Sequence, residues 1–170
     1  MKLQENELIR QMSIEEIPEC VEVIRTAFKT VADEFGFTEE NAPYFTAFAT
    51  DEARIKKQFE EEKRPMNVFL LDGKIVGYYS LEILSDKEAE LNNLAVLPEY
   101  RHRGIGEKLV RYLFDDARMK GYERIKIGIV EENKVLRKWY ESLGFIHTNS
   151  VKFDFFPFTC GYLEMELNED

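Results

Sequence analysis

Residues 91–110 read "LNNLAVLPEYRHRGIGEKLV", and this passage sets the architecture of the chain. It begins as a strand, which Pro98 ends. From Gly106 onward the apolar residues recur at helical spacing, so a helix follows after a short loop. The loop carries the basic triplet 101–103 directly before Gly104, in a chain whose formal net charge is −10. An acidic chain therefore places its densest short basic cluster at the start of a helix.

This loop has the elements of a phosphate site. The first N–H groups of a helix have no partner inside the helix and carry partial positive charge, so they bind anions. Gly104 and Gly106 lack a β-carbon, which lets a phosphate approach the backbone, and Arg101 and Arg103 add charge-assisted hydrogen bonds. The spacing is neither the P-loop GxxxxGK[ST] nor the dinucleotide fingerprint GxGxxG. Taken locally, a solvated basic turn explains the same residues equally well.

Length and composition narrow the class of protein. The chain has 170 residues, 44% hydrophobic and 33% charged, which suits one globular domain. No apolar run approaches the ~20 residues that cross a bilayer, and residues 1–12 lack the apolar core of a secretion signal. Cys20 and Cys160 have no short spacing, so we expect a cytoplasmic protein with neither a disulfide framework nor a metal site. The acidic balance disfavours nucleic acid as a partner and favours a cationic one.

Periodicity predicts the elements of the first half. Residues 7–13 read as a strand, and Ser13 caps a helix that ends at Gly36. A second helix is expected over residues 43–63, opened by a proline. Two strands then flank Asp72–Gly73, a two-residue hairpin signal.

The second half alternates strand and helix. We expect strands at 89–97 and 124–131, helices at 106–120 and 133–144, and two final strands within 145–156 and 160–167. The last helix should bury Val135, Leu136, Trp139 and Leu143. The order β-α-α-β-β-β-α-β-α-β-β implies one mixed sheet with helices on both faces.

Two motifs together resemble the GCN5-related N-acetyltransferase (GNAT) superfamily. The family's acyl-CoA motif, Gln/Arg-x-x-Gly-x-Gly/Ala between a strand and a helix, matches residues 101–106. Its second signature, an Asn that starts a helix ending in Tyr-x-x-x-Gly-Phe, matches "NKVLRKWYESLGF", residues 133–145. The resemblance implies an α/β fold with a mixed, mostly antiparallel sheet of about seven strands. It covers about residues 68–167 of a single domain, residues 1–170, and residues 7–65 fit the variable acceptor side.

The resemblance also implies acetyl-CoA as the acetyl donor. The backbone of Leu94, Ala95 and Val96 would pair with the pantetheine arm, in a V-shaped opening where parallel strands separate. Asn133 would contact the donor from the neighbouring strand end. Backbone N–H groups of one loop would bind the pyrophosphate: Arg101, His102, Arg103, Gly104, Ile105, Gly106 and Glu107. The side chain of His102 reads equally well as a surface group.

Acetyl transfer to an amine has three chemical needs. The ammonium must lose a proton, the oxyanion must be stabilised, and the leaving thiolate must be protonated. The resemblance implies Tyr140 as the acid for the thiolate and a backbone N–H of Leu94 or Val96 for the oxyanion. Without the motif, Tyr140 would read as an ordinary helix aromatic beside Trp139.

The general base is left open. In histone-type members a strand glutamate lies fourteen positions before the first motif glycine, which gives Glu90 here. In the ribosomal-protein N-terminal acetyltransferases the base lies five positions before the helix-starting Asn, which gives Gly128 and argues against that mechanism. Strand alternation places Glu90 on one face with Asn92 and Leu94. A solvent-facing carboxylate explains Glu90 equally well, and water can also carry the proton.

The sequence predicts an acetyl-CoA-dependent N-acetyltransferase that acts on a primary amine in a ternary complex. The alternative is a non-catalytic acyl-CoA sensor of the same fold, and a plain interaction domain is a third interpretation. The acceptor is a small amine or a peptide amine, and a cationic one fits the acidic balance. The aromatic run 153–158 and the rings of Tyr44, Phe45 and Phe48 are candidates for the acceptor wall or, alternatively, for core packing. A homodimer is compatible with the resemblance.

Overall fold

A computed structural model describes residues 1–167, which form one sheet of seven strands with helices on both faces. The strands are β1 (Glu7–Gln11), β2 (Met66–Leu71), β3 (Lys74–Ile83), β4 (Glu88–Val96), β5 (Arg124–Val130), β6 (Ile146–Lys152) and β7 (Thr159–Glu166). The helices are α1 (Ile17–Phe35), α2 (Thr46–Ala49), α3 (Glu52–Glu60), α4 (Ile105–Met119) and α5 (Lys134–Ser142). The predicted fold class is confirmed; residues 168–170 of the expected domain lie outside the described residues.

The sheet order is β1-β2-β3-β4-β5-β7-β6. The pair β4–β5 is parallel and the other neighbouring pairs are antiparallel. Parallel neighbours need a crossover, and α4 provides it between β4 and β5. The loop before α4 therefore lies at the edge where β4 ends.

Two adjacent residues of β3 show what covers each face of the sheet. A β-carbon on Gly77 would lie 3.0 Å from Leu109 Cδ1, so α4 packs directly on that face. Tyr78 points to the opposite face and is fully buried, where α1 packs on β3 and β4. The main core lies in these two layers, and no helix within residues 1–167 has the length and apolar character to span a membrane.

Left-handed residues stand where the sequence predicts turns and helix ends. Gly36 has φ +74° and ends α1. Asp72 (φ +50°) and Gly73 (φ +80°) join β2 to β3, which is the geometry of a type I′ hairpin. Both predictions are confirmed.

The helix predicted over residues 43–63 is wrong as a single helix. It divides into α2 and α3, because Thr50 is extended (φ −83°, ψ 120°). Asp51 then starts a new helix, its carboxylate accepting a hydrogen bond from Arg54 N–H at 2.8 Å. A capping side chain inside an otherwise helical pattern begins a second helix.

The predicted inward position of Val135 is also wrong. Its exposed fraction is 81%. This first turn of α5 borders an open cleft and not the core, so an apolar residue there has nothing to pack against.

Candidate functional site

β4 and β5 separate halfway along their length. They pair from Glu88 to Leu91, after which β4 continues beside β3 and β5 beside β7. Within residues 1–167, no strand lies beside the remaining edge of β4. A cleft of about 900 Å³ opens at this point, so the V-shaped opening that the resemblance implies is present.

A bulge in β4 changes which side chains share a face. Asn93 and Leu94 together stand opposite one residue of β3, and Asn93 has φ +55°. Alternation restarts one residue out of step after such a bulge. Ala95, and not Leu94, therefore continues the face of Glu90, and the expected shared face of Glu90 and Leu94 is wrong.

The peptide group of Val96 is turned toward the gap. The next residue, Leu97, donates its N–H to Val76 O in β3 at 2.9 Å. Because successive strand residues direct their N–H and carbonyl groups to opposite sides, those of Val96 point away from β3. On that side the carbonyl of Val96 accepts a hydrogen bond from Arg101 Nε at 3.3 Å. The N–H of Val96 thus faces the cleft, as an oxyanion donor would have to.

The loop between β4 and α4 gathers backbone N–H groups. His102 has φ +62° and Gly104 has φ +78°, and α4 begins at Ile105. Left-handed residues interspersed in a loop turn successive N–H groups into one concavity, which binds anions. His102 is not glycine, so its conformation is strained, and such strain clusters at functional sites. The loop borders the cleft.

The two glycines of the loop have different roles. A β-carbon on Gly104 would meet no atom within 4 Å, so the positive φ is what requires glycine there. A β-carbon on Gly106 would lie 3.2 Å from Trp139 Cζ2. Gly106 therefore allows the start of α4 to pack closely against α5.

The two arginines of the loop also differ. The half-buried guanidinium of Arg101 donates to Thr30 Oγ1 at 2.9 Å and to Ala27 O at 3.0 Å, both in α1. Burial lowers its pKa. Arg103 instead lies over the ring of Tyr100, 5.3 Å from its centroid. Arg101 ties the loop to α1, and phosphate contact by either side chain stays a prediction.

Tyr140 and Asn133 are both held by α5. Tyr140 borders the cleft and packs edge-on between Trp139 (4.9 Å) and Phe145 (5.4 Å). Burial raises the pKa of its hydroxyl, which keeps the phenol protonated. Asn133 Oδ1 accepts a hydrogen bond from Leu136 N–H at 3.2 Å and so caps the helix, while its amide borders the same cleft.

Glu90 lies in the cleft near the point where the two strands separate. It is half-buried, and within residues 1–167 its carboxylate accepts no hydrogen bond. Burial first, and then the charge of Glu82 opposite it on β3, raise its pKa; Arg64 and Lys126 lower it by less. The carboxylate is thus partly desolvated and able to accept a proton.

The acceptor side of the cleft contains residues that sequence reasoning did not single out. Arg64 Nη2 lies 3.8 Å from Glu82 Oε2 and 3.1 Å from Glu62 Oε1.

Cys160 and Tyr162 of β7 border the cleft together with Phe158. Their alternate spacing in the last strand was the available signal. Phe45 and Phe158 are buried and Tyr44 and Phe156 are not, yet all four border the cleft, so the aromatic rings serve in both packing and lining.

A model described as the acetyltransferase (GNAT) family matches residues 30–145. Over 90 residues the chain is 30% identical to the ribosomal protein bS18-alanine N-acetyltransferase of Escherichia coli, covering 53% of this chain and 60% of that protein. The match thus spans about three-fifths of that curated relative. Over 141 residues it is 25% identical to the spermidine N(1)-acetyltransferase of Thermoplasma acidophilum, covering 81% of this chain and 86% of that protein.

A solved structure has the same architecture. It is a putative acetyltransferase of Salmonella typhimurium with its cofactor acetyl-CoA, and it superposes with a TM-score of 0.75 at 20% sequence identity. The alignment covers 98% of this chain and 96% of that one. At this identity the likeness shows the fold.

Proposed function

The chain belongs to the GNAT acetyltransferase family, and from this premise we propose that it transfers an acetyl group from acetyl-CoA to a primary amine by direct attack in a ternary complex. One observation carries the proposal. An unpaired strand edge, a helix start with open N–H groups and a buried tyrosine all border one cleft. A thioester donor needs these three features together.

The donor fits the cleft along its length. The edge of β4 at Leu94, Ala95 and Val96 would hold the pantetheine arm, and the N–H groups of residues 102–107 would hold the pyrophosphate. The expected contribution of the Arg101 N–H is wrong, because it already donates to Pro98 O at 3.2 Å. Asn133 would contact the donor from α5. Acetyl-CoA would supply the electrophilic carbonyl and the thiolate that leaves.

The residues of the chain divide the proton transfers between them. The acceptor ammonium gives one proton to Glu90, directly or through a water molecule, and its nitrogen then bonds to the thioester carbon. The N–H of Val96 donates to the oxyanion. As the C–S bond breaks, the hydroxyl of Tyr140 gives its proton to the thiolate. The positively charged nitrogen then loses its second proton, which returns to the Tyr140 phenolate through water, and the neutral amide is released with CoA.

Carboxylates and guanidinium groups both border the acceptor side of the cleft: Glu34, Glu82 and Glu90, with Arg54 and Arg64. Because Glu82 is already beside Arg64 at 3.8 Å while the carboxylate of Glu90 accepts no hydrogen bond within residues 1–167, we propose a cationic amine acceptor, held partly by residues 7–65. The two cysteines are unpaired, which fits a cytoplasmic location. We keep a homodimer as a proposal to be tested by sedimentation.

The alternative is a protein that binds acyl-CoA without transferring the acyl group. Thermal shift separates both from an interaction domain, because a ligand at a hundred times its Kd adds ~2.7 kcal/mol of stability. Transfer is tested by CoA release with an amine panel. We expect release that requires an amine and that falls at least tenfold in Tyr140→Phe, with CoA affinity unchanged. Binding without amine-dependent release would support the sensor instead.

A further inference from the structure

One face of β7 forms a path that leads away from Glu90. Cys160 and Tyr162 alternate along β7, so they share a face. Phe158 lies in the bend just before the strand, and all three residues border the cleft. Tyr162 is at the inner end: its Cε1 lies 3.3 Å from the position of a β-carbon on Gly128. Glu90 Oε1 lies 4.0 Å from the same position. Because strand residues rise about 3.3 Å each, Cys160 lies about 7 Å from Tyr162 along β7, and Phe158 lies beyond it.

The outer end of this path is an aromatic wall, made of Phe28, Phe45, Phe156 and Phe158. Phe45 contacts Phe28 edge-on at 6.0 Å and Phe158 edge-on at 5.7 Å. Phe156 stacks on Phe158 at 4.6 Å, and all four rings border the cleft. Rings that already pack edge-to-face and offset accept a further ring in the same geometry.

Two more rings meet at the rim of the wall. Tyr44 precedes α2 and is 64% exposed, and Phe155 lies between β6 and β7 and is 51% exposed. Their centroids are 5.9 Å apart at 90°, so the two loops touch across the rim.

Charge along the path favours a single ammonium group. Glu90 stands at its inner end, and beyond it the path presents a thiol and aromatic rings. Glu82 and Glu34 also border the cleft, but Glu82 is already beside Arg64 at 3.8 Å, and Glu34 lies in the last turn of α1 and not on β7. A polyamine needs several carboxylates spaced along its length, and a peptide needs polar partners for its amides.

We propose that the acceptor is an arylalkylamine: a primary amine joined by a short linker to an aromatic ring. Its ammonium lies at Glu90 and its ring in the aromatic wall, with the linker over Cys160. This inference rests on the proposed acetyl transfer and specifies the acceptor class.

The test compares amines that differ in the body attached to nitrogen. Acetyl-CoA is supplied with 2-phenylethylamine, methylamine, spermidine or a tetrapeptide with a free N-terminus, and CoA release and product mass are measured. We expect kcat/KM for 2-phenylethylamine to exceed that for each of the others at least tenfold. A higher kcat/KM for spermidine or the peptide would overturn the inference while leaving acetyl transfer intact.

Phe156 and Phe153 provide matched variants in one loop. Phe156 borders the cleft, whereas Phe153 stacks on Phe155 at 5.2 Å outside it. We expect Phe156→Ala to raise KM for 2-phenylethylamine about tenfold, to leave methylamine unchanged and to be partly rescued by Phe156→Leu. Phe153→Ala should change neither amine.

Two outcomes go against the proposal in different ways. Equal losses for both amines in Phe156→Ala, with a lowered melting temperature, would make the ring a packing residue and overturn the inference. A protein that binds acetyl-CoA and acetylates none of the amines would overturn the proposed function and the inference with it.

Discussion

Glu90 reaches the space beside Gly128: its Oε1 lies 4.0 Å from the point where a β-carbon on Gly128 would stand. Gly128 has no side chain to offer a base, and the ring of Tyr162 occupies part of the space beside it, with Cε1 3.3 Å from the same point. The carboxylate is supplied by β4, across the point where the two strands separate. The base proposed here thus comes from the neighbouring strand.

Glu90→Gln tests that base. We expect kcat/KM to fall about 100-fold, in line with the loss of general-base catalysis. Because burial and Glu82 raise the pKa of Glu90, the wild-type rate should fall as pH drops through this raised pKa, and the variant should lose that limb. Glu88→Gln, on the same strand but outside the cleft, is the control. An unchanged pH–rate profile would mean that water alone takes the proton.

The same substitution should also change stability with pH. A raised folded-state pKa means that the folded chain binds more protons than the unfolded chain as pH rises from about 4.5 to the raised pKa. Glu90 therefore costs stability increasingly as pH rises through its pKa. We expect Glu90→Gln to melt at a higher temperature than the wild type at pH 7 and at the same temperature at pH 4. A lower melting temperature at pH 7 would show that the ionised carboxylate is stabilising.

Gly104→Ala tests the anion loop. Alanine at φ +78° costs about 1–2 kcal/mol of backbone strain and distorts the N–H groups. We expect CoA affinity to fall at least tenfold, compared with threefold or less for Arg103→Ala, by calorimetry. Gly36→Ala is a matched control, because Gly36 has φ +74° and also meets nothing within 4 Å. It should lower stability similarly and leave CoA affinity unchanged. The opposite ranking of Gly104→Ala and Arg103→Ala would make charge the main determinant.

Arg101→Ala tests the tie between the loop and α1. The substitution removes hydrogen bonds to Thr30, Ala27 and Val96, and we expect unfolding to need about 2 kcal/mol less. CoA affinity should fall with the same salt dependence as in the wild type, since no charge contact to phosphate is lost. A normal melting temperature with a weaker salt dependence would instead place the guanidinium on the phosphate.

Arg10 and Glu16 predict a loss of stability in acid. Both guanidinium Nη atoms donate to the carboxylate at 2.8 Å, which lowers the pKa of Glu16 to about 2. A lowered folded-state pKa gives stability that is complete above about pH 4.5 and is lost as pH falls toward 2. After solvent screening we expect this pair to contribute about 1 kcal/mol or less.

Urea unfolding of Glu16→Gln at pH 7 and pH 2 checks this. The variant should be less stable than the wild type at pH 7, and the difference should shrink at pH 2. Glu15→Gln, in the same turn, should match the wild type at both pH values. A difference that does not change with pH would assign the effect of Glu16→Gln to its role in the turn.

Local signals predicted most of the fold. The turn residues Asp72 and Gly73 and the helix end at Gly36 have positive φ angles, and their residue types predict such positions. Periodicity does not predict the break at Thr50, because the helical pattern of the sequence continues across it. The only local signal is Asp51, which caps the second helix. The exposure of Val135 does not follow from periodicity, because periodicity identifies the apolar face of a helix but not whether another element packs against that face.

The parts of the site that depend on local backbone conformation could be predicted from the sequence. The parts that depend on contacts between residues far apart in the chain were less predictable. The glycine loop could be placed from its residues, whereas the partners of Arg101 are on α1, more than 70 positions earlier. No local pattern reports such a contact. The approach of Glu90 to Gly128 likewise depends on the register between β4 and β5, which a helix connects. The sequence positions of the two residues do not show this register.

Asn93 is the extra residue of the bulge in β4. Side chains alternate regularly before it and after it, but a count of residues across it is off by one. Removing one of the two residues opposite Tyr79 would restore strict alternation and leave Ala95 opposite Tyr78, on the face of Glu90. The bulge therefore changes the count of residues and the course of the strand, and not the face that follows it. A deletion at this position should leave the sheet able to form while straightening the edge of β4 that borders the cleft.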